Sequence, residues 1–236
     1  MRNTFTLDGV NSSSLGVYIS GYGTYNSPAK VYDLRTVPGR NGALVGLERR
    51  MENVDLTYHA FICRDFAANL EALRAFLLSR EGYVRLYDSY HPGEFRMALF
   101  QGPLDVDVAA AYDAGQFDLV FNCKPQRYLT SGESVTTLTA SSGSITNPTR
   151  FPSRPLLRVY GSGKVTIGST AITISTTDPY TDIDCDAMDA SYNGANRNGS
   201  ISLNTNDFPA LESGANGITL ANGVTKVEVT PRWYTV

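Results

Sequence analysis

The chain has 236 residues, of which 42% are hydrophobic and 18% charged, and its formal net charge is −3. A chain of this length and composition can bury a core without disulfides or metals. Neither half, divided at Tyr128, has the basic excess that a nucleic-acid-binding domain usually shows. The 14 tyrosines, 10 phenylalanines and 21 glycines favour strands and turns, which predicts a mainly β protein.

The cysteines and the N-terminus indicate where the chain folds. Cys63, Cys123 and Cys185 are widely spaced and form no CxxC pair, so we expect reduced, buried thiols rather than disulfides or a zinc site. The N-terminus becomes polar before an apolar signal segment develops, and no stretch approaches the roughly 20 apolar residues of a membrane span. We therefore expect folding in a reducing cytoplasm and no membrane anchor.

A long β-arm is predicted at about residues 30–61. Lys30–Val37 alternates apolar and polar residues and stops at Pro38–Gly42, a turn in which proline presets φ and glycine accepts positive φ. Ala43–Arg49 returns, and Arg50–Phe61 continues as a long strand. The other strands predicted in the first half are Thr4–Leu7, Val17–Ser20, Tyr83–Tyr87, Phe95–Phe100 and Gln116–Cys123.

Charged residues of both signs surround this arm. Its arginines are Arg35, Arg40, Arg49 and Arg50, and its acids are Glu48, Glu52 and Asp55. Mixed charge on a protruding hairpin suits protein docking, in which complementarity sets the register. A solvated hairpin without a partner is equally compatible with these residues.

One helix is predicted at about residues 65–80. Asp65 is a suitable N-cap, and Gly82 can end the helix. Apolar residues follow at helical spacing and define one buried face: Phe66, Leu70, Leu73 and Leu77. We expect this face to pack on a sheet.

The second half is predicted to be an antiparallel sandwich. Residues 129–149 are rich in Ser, Thr and Gly and are typical of a connector that contains one strand. Short strands then recur between turn signals: Leu156–Tyr160, Lys164–Ile167, Thr170–Ile174, Thr181–Asp186, Ser200–Leu203, Gly217–Leu220 and Lys226–Pro231. Gly161–Gly163 is interpreted as a hairpin turn between two of them. The predicted domains are therefore 1–128 and 150–236.

An acidic string is the best candidate for metal binding or acid catalysis. It contains Asp178, Asp182, Asp184, Asp186 and Asp189. Counted from Asp182, the string lacks the glycine and glutamate of an EF-hand loop. Strand alternation explains it more simply, because the aspartates then line a solvent face while Ile183, Cys185 and Ala187 point inward.

No other constellation supports an enzyme, a metal or a cofactor. His59 and Cys63 lie four residues apart without a third partner, and His91 stands alone in a turn. The chain has no GxSxG elbow. We therefore predict no catalytic, metal or cofactor-binding residues.

Several segments, in this order, resemble the distal tail proteins of long-tailed phages. The arm segment Arg35–Leu44 is similar to the VPGRdG-type loop of that family, and the helix and the strand Phe117–Pro125 follow as they do there. The second half contributes the segments Pro155–Gly161, Asp182–Asp186, Phe208–Ile218 and Val227–Trp233. The resemblance spans nearly the whole chain.

This resemblance implies a belt domain of β-sandwich or split-barrel type, with its arm, and a galectin-like sandwich at the C-terminus. Six copies would close into a ring at the tail tip, between the tail tube protein and the trimeric hub or fibre protein, with a lumen compatible with DNA passage. The inter-subunit arm residues would be Arg35, Pro38, Gly39, Arg40, Asn41, Gly42, Arg49 and Arg50. The protein would be made in the host cytoplasm and act in the virion.

Two alternatives belong to other functional classes. A carbohydrate-binding module that recognises the host surface would use Trp233, the chain's one tryptophan. A wall hydrolase would use the Asp178–Asp189 string, although no base–nucleophile pair supports it.

Overall fold

The computed structural model describes residues 2–21, 23, 25–109 and 114–236, without the side chains of Leu47, Arg49, Asp107, Val108 and Ala109. In this part of the chain the α-helix α1 spans Phe66–Leu78. The strands are β1 (Phe5–Leu7), β2 (Val10–Asn11), β3 (Val17–Ser20), β4 (Lys30–Thr36), β5 (Ala43–Met51), β6 (Val54–Ile62), β7 (Val84–Asp88), β8 (Glu94–Phe100), β9 (Val106–Ala109), β10 (Ala114–Leu129), β11 (Thr136–Leu138), β12 (Ser142–Asn147), β13 (Leu156–Tyr160), β14 (Gly163–Ile167), β15 (Thr170–Ile174), β16 (Tyr180–Asp184), β17 (Asp189–Tyr192), β18 (Ala195–Asn196), β19 (Ile201–Leu203), β20 (Gly214–Ala221), β21 (Lys226–Thr230) and β22 (Tyr234–Thr235).

The mainly β class with one helix, predicted from the sequence, is confirmed. The chain divides into two compact units, one of residues 1–127 with Val236 and one of Tyr128–Thr235. Each unit has a hydrophobic core of its own. Over the described residues, no helix combines the length and hydropathy needed to cross a membrane.

The first unit is built on one large antiparallel sheet with the strand order β2-β1-β7-β8-β10-β6-β3, and β9 also pairs with β10. Its longest pairing joins β6 to β10, from Ile62 opposite Gly115 to Val54 opposite Cys123. The two-residue period of β6 decides which side chains are buried. As predicted, its apolar face lies in the core: Val54, Leu56, Tyr58 and Ala60.

The helix α1 packs its predicted apolar face into the same core. Phe66, Leu70, Leu73 and Leu77 are all buried. The predicted ends were less accurate. Asp65 precedes the helix in a left-handed conformation, so its side chain makes none of the capping bonds that an extended N-cap residue makes.

The C-terminal end of α1 also differs from the prediction. The helix ends at Leu78, where the Ser79 N–H donates to the carbonyl of Ala75. Gly82 lies beyond that end, with a φ of 81°, and turns the chain towards β7. The glycine therefore shapes the connection rather than the last turn of the helix.

The arm is shorter than predicted. The strands β4 and β5 form a two-stranded sheet of their own, but β5 ends at Met51 and β6 belongs to the large sheet. The physical reason is the buried apolar face of β6, which gains more from the core than from extending a hairpin. The arm therefore comprises residues 30–51.

The second unit is a sandwich of two antiparallel sheets. One has the order β11-β21-β13-β16-β17-β18 and the other β12-β20-β14-β15-β19. Apolar side chains from both sheets form its core, including Leu157, Val159, Ile172, Ile218 and Val229. The turn at Gly161–Gly163, interpreted as a hairpin, instead passes the chain from one sheet to the other, because β13 and β14 pair with different strands.

Residues 129–149 differ from the connector that their composition predicted. They contain a 3-10 turn at Thr130–Glu133, β11 on one sheet and β12 on the other. Ile145 is buried in the sandwich core. The buried Asn147 side chain donates to the carbonyls of Phe151 and Leu211. A polar stretch can form strands here because its few inward side chains are apolar or hydrogen-bonded.

The contribution of α1 to the first unit can be measured. Leu73 is fully buried, so Leu73→Ala should lower the free energy of unfolding by about 2–5 kcal/mol, through lost burial and a cavity. Leu78 is 69% exposed on the same helix, and Leu78→Ala should change stability little. Denaturant unfolding of both variants tests this difference, and equal losses would contradict it.

Candidate functional site

Hydrogen bonds fix the base of the arm, and a tight turn forms its tip. The Glu52 N–H donates to the carbonyl of Ala29, and the Asn26 side chain donates to the carbonyl of Asp55 at the start of β6. At the tip, the Arg40 N–H donates to the carbonyl of Val37. Gly39 and Gly42 have φ values of 77° and 82°, which a β-branched residue would adopt only with strain. The predicted turn chemistry is therefore present.

One face of the hairpin is apolar and exposed. The register places Leu34 opposite Val45 and Thr36 opposite Ala43, so these side chains share one face together with Tyr32. Leu34 is 64% exposed, Val45 57% and Tyr32 48%. In the described part of the chain, β4 and β5 pair only with each other. The hairpin therefore offers an apolar surface that its own chain leaves in water.

The opposite face carries paired charges next to the half-exposed Leu44, which lies opposite Arg35. Arg35 Nε lies 2.7 Å from an Asp33 carboxylate oxygen, and Arg50 Nε lies 2.8 Å from one of Glu48. All four side chains are well exposed, so these pairs contribute little to stability. The charges of this face are paired within the hairpin, without another chain.

The structure places most of the predicted arm residues on the exposed hairpin. Pro38, Gly39, Arg40, Asn41 and Gly42 are exposed at the tip, and Arg35 and Arg50 on the strands. The side chain of Arg49 lies outside those described. The arginines were the predicted contact residues of the arm, whereas its exposed apolar face follows from the alternation that places Tyr32 and Leu34 on one side of β4.

The acidic string lies in the second unit and is paired with arginines. Arg158 makes two hydrogen bonds to Asp182, at 2.7 and 2.9 Å, and Arg232 makes two to Asp184, at 2.7 and 2.8 Å. Arg197 Nε lies 2.6 Å from Asp178 Oδ2. These arginines stand 19 to 48 positions away along the chain, so the sequence alone did not reveal the pairs.

Alternation explains most of this string. Ile183 and Cys185 are buried, as expected, while Asp182 and Asp184 lie on the outward face. Ala187 was predicted to point inward but is exposed, because β16 ends at Asp184 and a turn follows. Among the described residues, no group of three His, Cys, Asp or Glu side chains could hold a metal ion.

The ion pairs lower the pKa values of two of these aspartates, which is unsuited to general-acid catalysis. Hydrogen bonds from Arg232 lower the pKa of Asp184, and those from Arg197 lower the pKa of Asp178. A general acid needs the opposite shift, towards neutral pH. These carboxylates are therefore fixed in their ionised form and fasten neighbouring strands together.

The thiols are equally unsuited to nucleophilic chemistry. Burial raises the pKa of Cys123 and of Cys185 to about 12. A reactive cysteine needs a lowered pKa, because the thiolate is the nucleophile. Cys63 is only partly buried, contrary to expectation, because β6 ends one residue before it.

A Ser-His-Asp row crosses three neighbouring strands of the first unit. Ser20 and Asp118 are the register partners of His59, and His59 Nδ1 lies 2.6 Å from an Asp118 oxygen. The Ser20 hydroxyl, however, donates to the backbone carbonyl of His59 rather than to its ring. His59 and Asp118 are also 70% and 57% exposed. The row lacks the nucleophile–base bond and the dry site of a hydrolase.

The tryptophan of the carbohydrate alternative is not available to a ligand. Trp233 is only 5% exposed and belongs to the core of the second unit. Its carbonyl accepts from the Leu129 N–H. A ring in this position stabilises the sandwich and cannot stack on a saccharide.

A cleft of about 430 Å³ lies on the outward face of the six-stranded sheet. It is lined by Val135, Leu156, Arg158, Asp182, Asp184, Ala187, Asp189, Ser191, Glu228 and Thr230. The register places Arg158 between Glu228 and Asp182, and Leu156 between Thr230 and Asp184. The cleft therefore has ordered rows of charged, hydroxyl and apolar side chains.

Comparison with known proteins yields structural neighbours only. No protein-family model matches the chain, and no curated protein matches it. The crystal structure of Dit (gp 19.1) of phage SPP1, described as a paradigm of the hub adsorption apparatus in phages that infect Gram-positive bacteria, is similar over 100% of both chains. Its TM-score is 0.71 and its identity 16%.

A chain of the phage p2 baseplate, in its activated conformation with Sr, is similar over 96% of this chain and 97% of that chain. Its TM-score is 0.52 and its identity 11%. At these identities the likeness shows the fold. The chain has the fold of a Dit-type phage protein, and the resemblance seen in the sequence is confirmed at this level.

The Arg232–Asp184 pair should make the second unit sensitive to acid. Asp184→Asn should lower the free energy of unfolding by about 2 kcal/mol near neutral pH, because it weakens two charge-assisted hydrogen bonds. The folded-state pKa of Asp184 lies below its ordinary 3.8, so the pair stabilises above that pH and the contribution is lost as the pH falls below it. Denaturant unfolding between neutral pH and pH 3 should show the two proteins converging; a constant difference would contradict this account.

Trp233→Ala should act through stability. Removing this buried ring should cost about 3–5 kcal/mol of unfolding free energy in the second unit. Near-ultraviolet circular dichroism during thermal unfolding measures the loss. A variant that stayed as stable as the parent but lost saccharide binding would restore Trp233 as a ligand residue.

Proposed function

We propose that this chain is a structural distal tail protein, whose copies assemble through the arm into a hexameric ring at the phage tail tip. The observation that carries the proposal is the exposed apolar face of the arm, and the full-length likeness to phage SPP1 Dit supports it. The ring would join the tail tube to the hub and the host-recognition apparatus.

The arm's apolar face supports assembly on energetic grounds. An isolated two-stranded hairpin is marginally stable in water, and exposing an apolar face adds nothing to its stability. Burying Leu34 and Val45 against a sibling copy would contribute roughly 2–4 kcal/mol per contact. A second copy is favoured as the acceptor because each copy then donates one arm and receives one.

Symmetry explains why such a contact produces a ring. A head-to-tail contact between identical chains closes when the rotation between neighbours divides a full turn. A neighbour that also paired with β4 or β5 would cover a free strand edge, which is otherwise open to pairing with other chains. The second unit would be free to attach to other tail proteins.

A non-enzymatic role agrees with the chemistry of the described residues. Arg197 and Arg232 lower the pKa values of Asp178 and Asp184 in the second unit, and two of the thiols are buried with raised pKa values. The two structural neighbours come from a hub adsorption apparatus and a baseplate. The protein would be made in the host cytoplasm and act in the virion.

The arm can be tested residue by residue. Leu34→Asp with Val45→Asp should abolish assembly while leaving the monomer folded, because charges would enter the apolar contact. Arg40→Glu at the tip should impair ring closure by reversing a docking charge. Negative-stain images and native mass spectrometry, with and without tail partners, measure the rings.

Glu48→Gln on the polar face is the matched control and should leave assembly unchanged. Circular dichroism should be the same for all variants. If the Leu34 and Val45 variant assembled normally, the arm would be removed from the account. If the parent chain stayed monomeric with every tail partner, the proposed ring would be rejected as well.

A further inference from the structure

The cleft on the six-stranded sheet has no role in the assembly proposed above. It lies wholly within the second unit, and its lining includes Asp182, Asp184 and Asp189 of the acidic string. A cleft of about 430 Å³ falls within the range of small-molecule sites.

The polar groups in this cleft are held in fixed positions. Arg158 donates two hydrogen bonds to the Asp182 carboxylate. On its other side, Arg158 lies opposite Glu228 in the neighbouring strand. Glu228 is held in turn by Lys226 at 2.7 Å and by the hydroxyl of Tyr160 at 3.2 Å. Asp189 accepts from the Asn198 side chain at 2.7 Å. Each carboxylate keeps spare lone pairs, because two oxygens accept more bonds than these partners supply.

The distribution of charge selects the class of ligand. An anion would meet four carboxylates in the lining, from Asp182, Asp184, Asp189 and Glu228. A basic peptide would have to compete with Arg158 and Arg232, which already donate hydrogen bonds to the carboxylates of Asp182 and Asp184. A neutral ligand rich in hydroxyl groups meets neither obstacle, because hydroxyls donate to spare carboxylate lone pairs and accept from guanidinium N–H groups.

The remaining lining matches such a ligand. The hydroxyls of Ser191 and Thr230 can donate and accept, and the side chains of Leu156, Val135 and Ala187 offer apolar contact to C–H groups. We infer that the cleft binds a neutral saccharide of one or two units. The site differs from one built on Trp233, which is buried in the core.

The tyrosines beside the cleft limit its affinity. The Lys226 ammonium lies 3.7 Å from the ring centre of Tyr160, and the Arg158 guanidinium lies 4.4 Å from that of Tyr180. A ring face covered by a cation does not stack on a sugar. The binding is therefore weak in each chain, and several copies in an assembly would strengthen it by multivalency.

The full-length chain tests this site with four defined disaccharides: lactose, maltose, cellobiose and diacetylchitobiose. Saturation-transfer NMR at about 10 mM sugar suits the millimolar affinity expected without ring stacking. At least one disaccharide should bind saturably. Ala187→Leu, which fills the cleft without removing an ion pair, should weaken that binding at least tenfold, and Glu228→Gln should weaken it as well.

Thr173→Leu is the matched control, because it adds an apolar group to an exposed position on the other sheet. It should bind as the parent does. No binding of any of the four sugars would overturn the inference, and so would binding that Ala187→Leu leaves unchanged. Saturable binding of oligolysine, lost in Glu228→Gln, would assign the cleft to a basic peptide instead. None of these outcomes depends on ring formation, so the two proposals fail separately.

Discussion

The apolar face of the β4–β5 hairpin is the constraint on which the functional account depends. Tyr32, Leu34 and Val45 lie side by side in water, while the opposite face balances its own charges. Two strands alone cannot hide such a face, because a hairpin has no second layer. The base of the hairpin is joined to the large sheet through the hydrogen bond from the Asn26 side chain to the carbonyl of Asp55 in β6. The arm is therefore a surface that another chain must complete.

Patterns within one element were predictable from the sequence. The helical spacing of Leu70, Leu73 and Leu77 and the alternation of Val54 to Ala60 both identified core faces correctly. These signals are local, because a helix or strand repeats its geometry every few residues. The candidate arm tip was also found in this way, since Pro38–Gly42 carries its own turn chemistry.

Features that depend on distant parts of the chain were not predictable. Whether β6 continues the arm or joins the large sheet is decided by β10, more than 50 residues later. Arg232 reaches Asp184 from 48 residues away, so the acidic string looked unpaired in sequence. The strands β11 and β12 form in a polar stretch only because β21 and β20 are there to pair with them. The cleft likewise exists only once four strands lie in register.

Hydrogen–deuterium exchange of the β4–β5 amides tests the central claim most directly. In the isolated chain the hairpin amides should exchange quickly, because only two strands protect them and one face is open to water. In the tail-tip assembly the same amides should be strongly protected, as a sibling copy covers the apolar face. Equal exchange in the isolated and assembled protein would contradict the account, since the arm would then have the same surroundings in both.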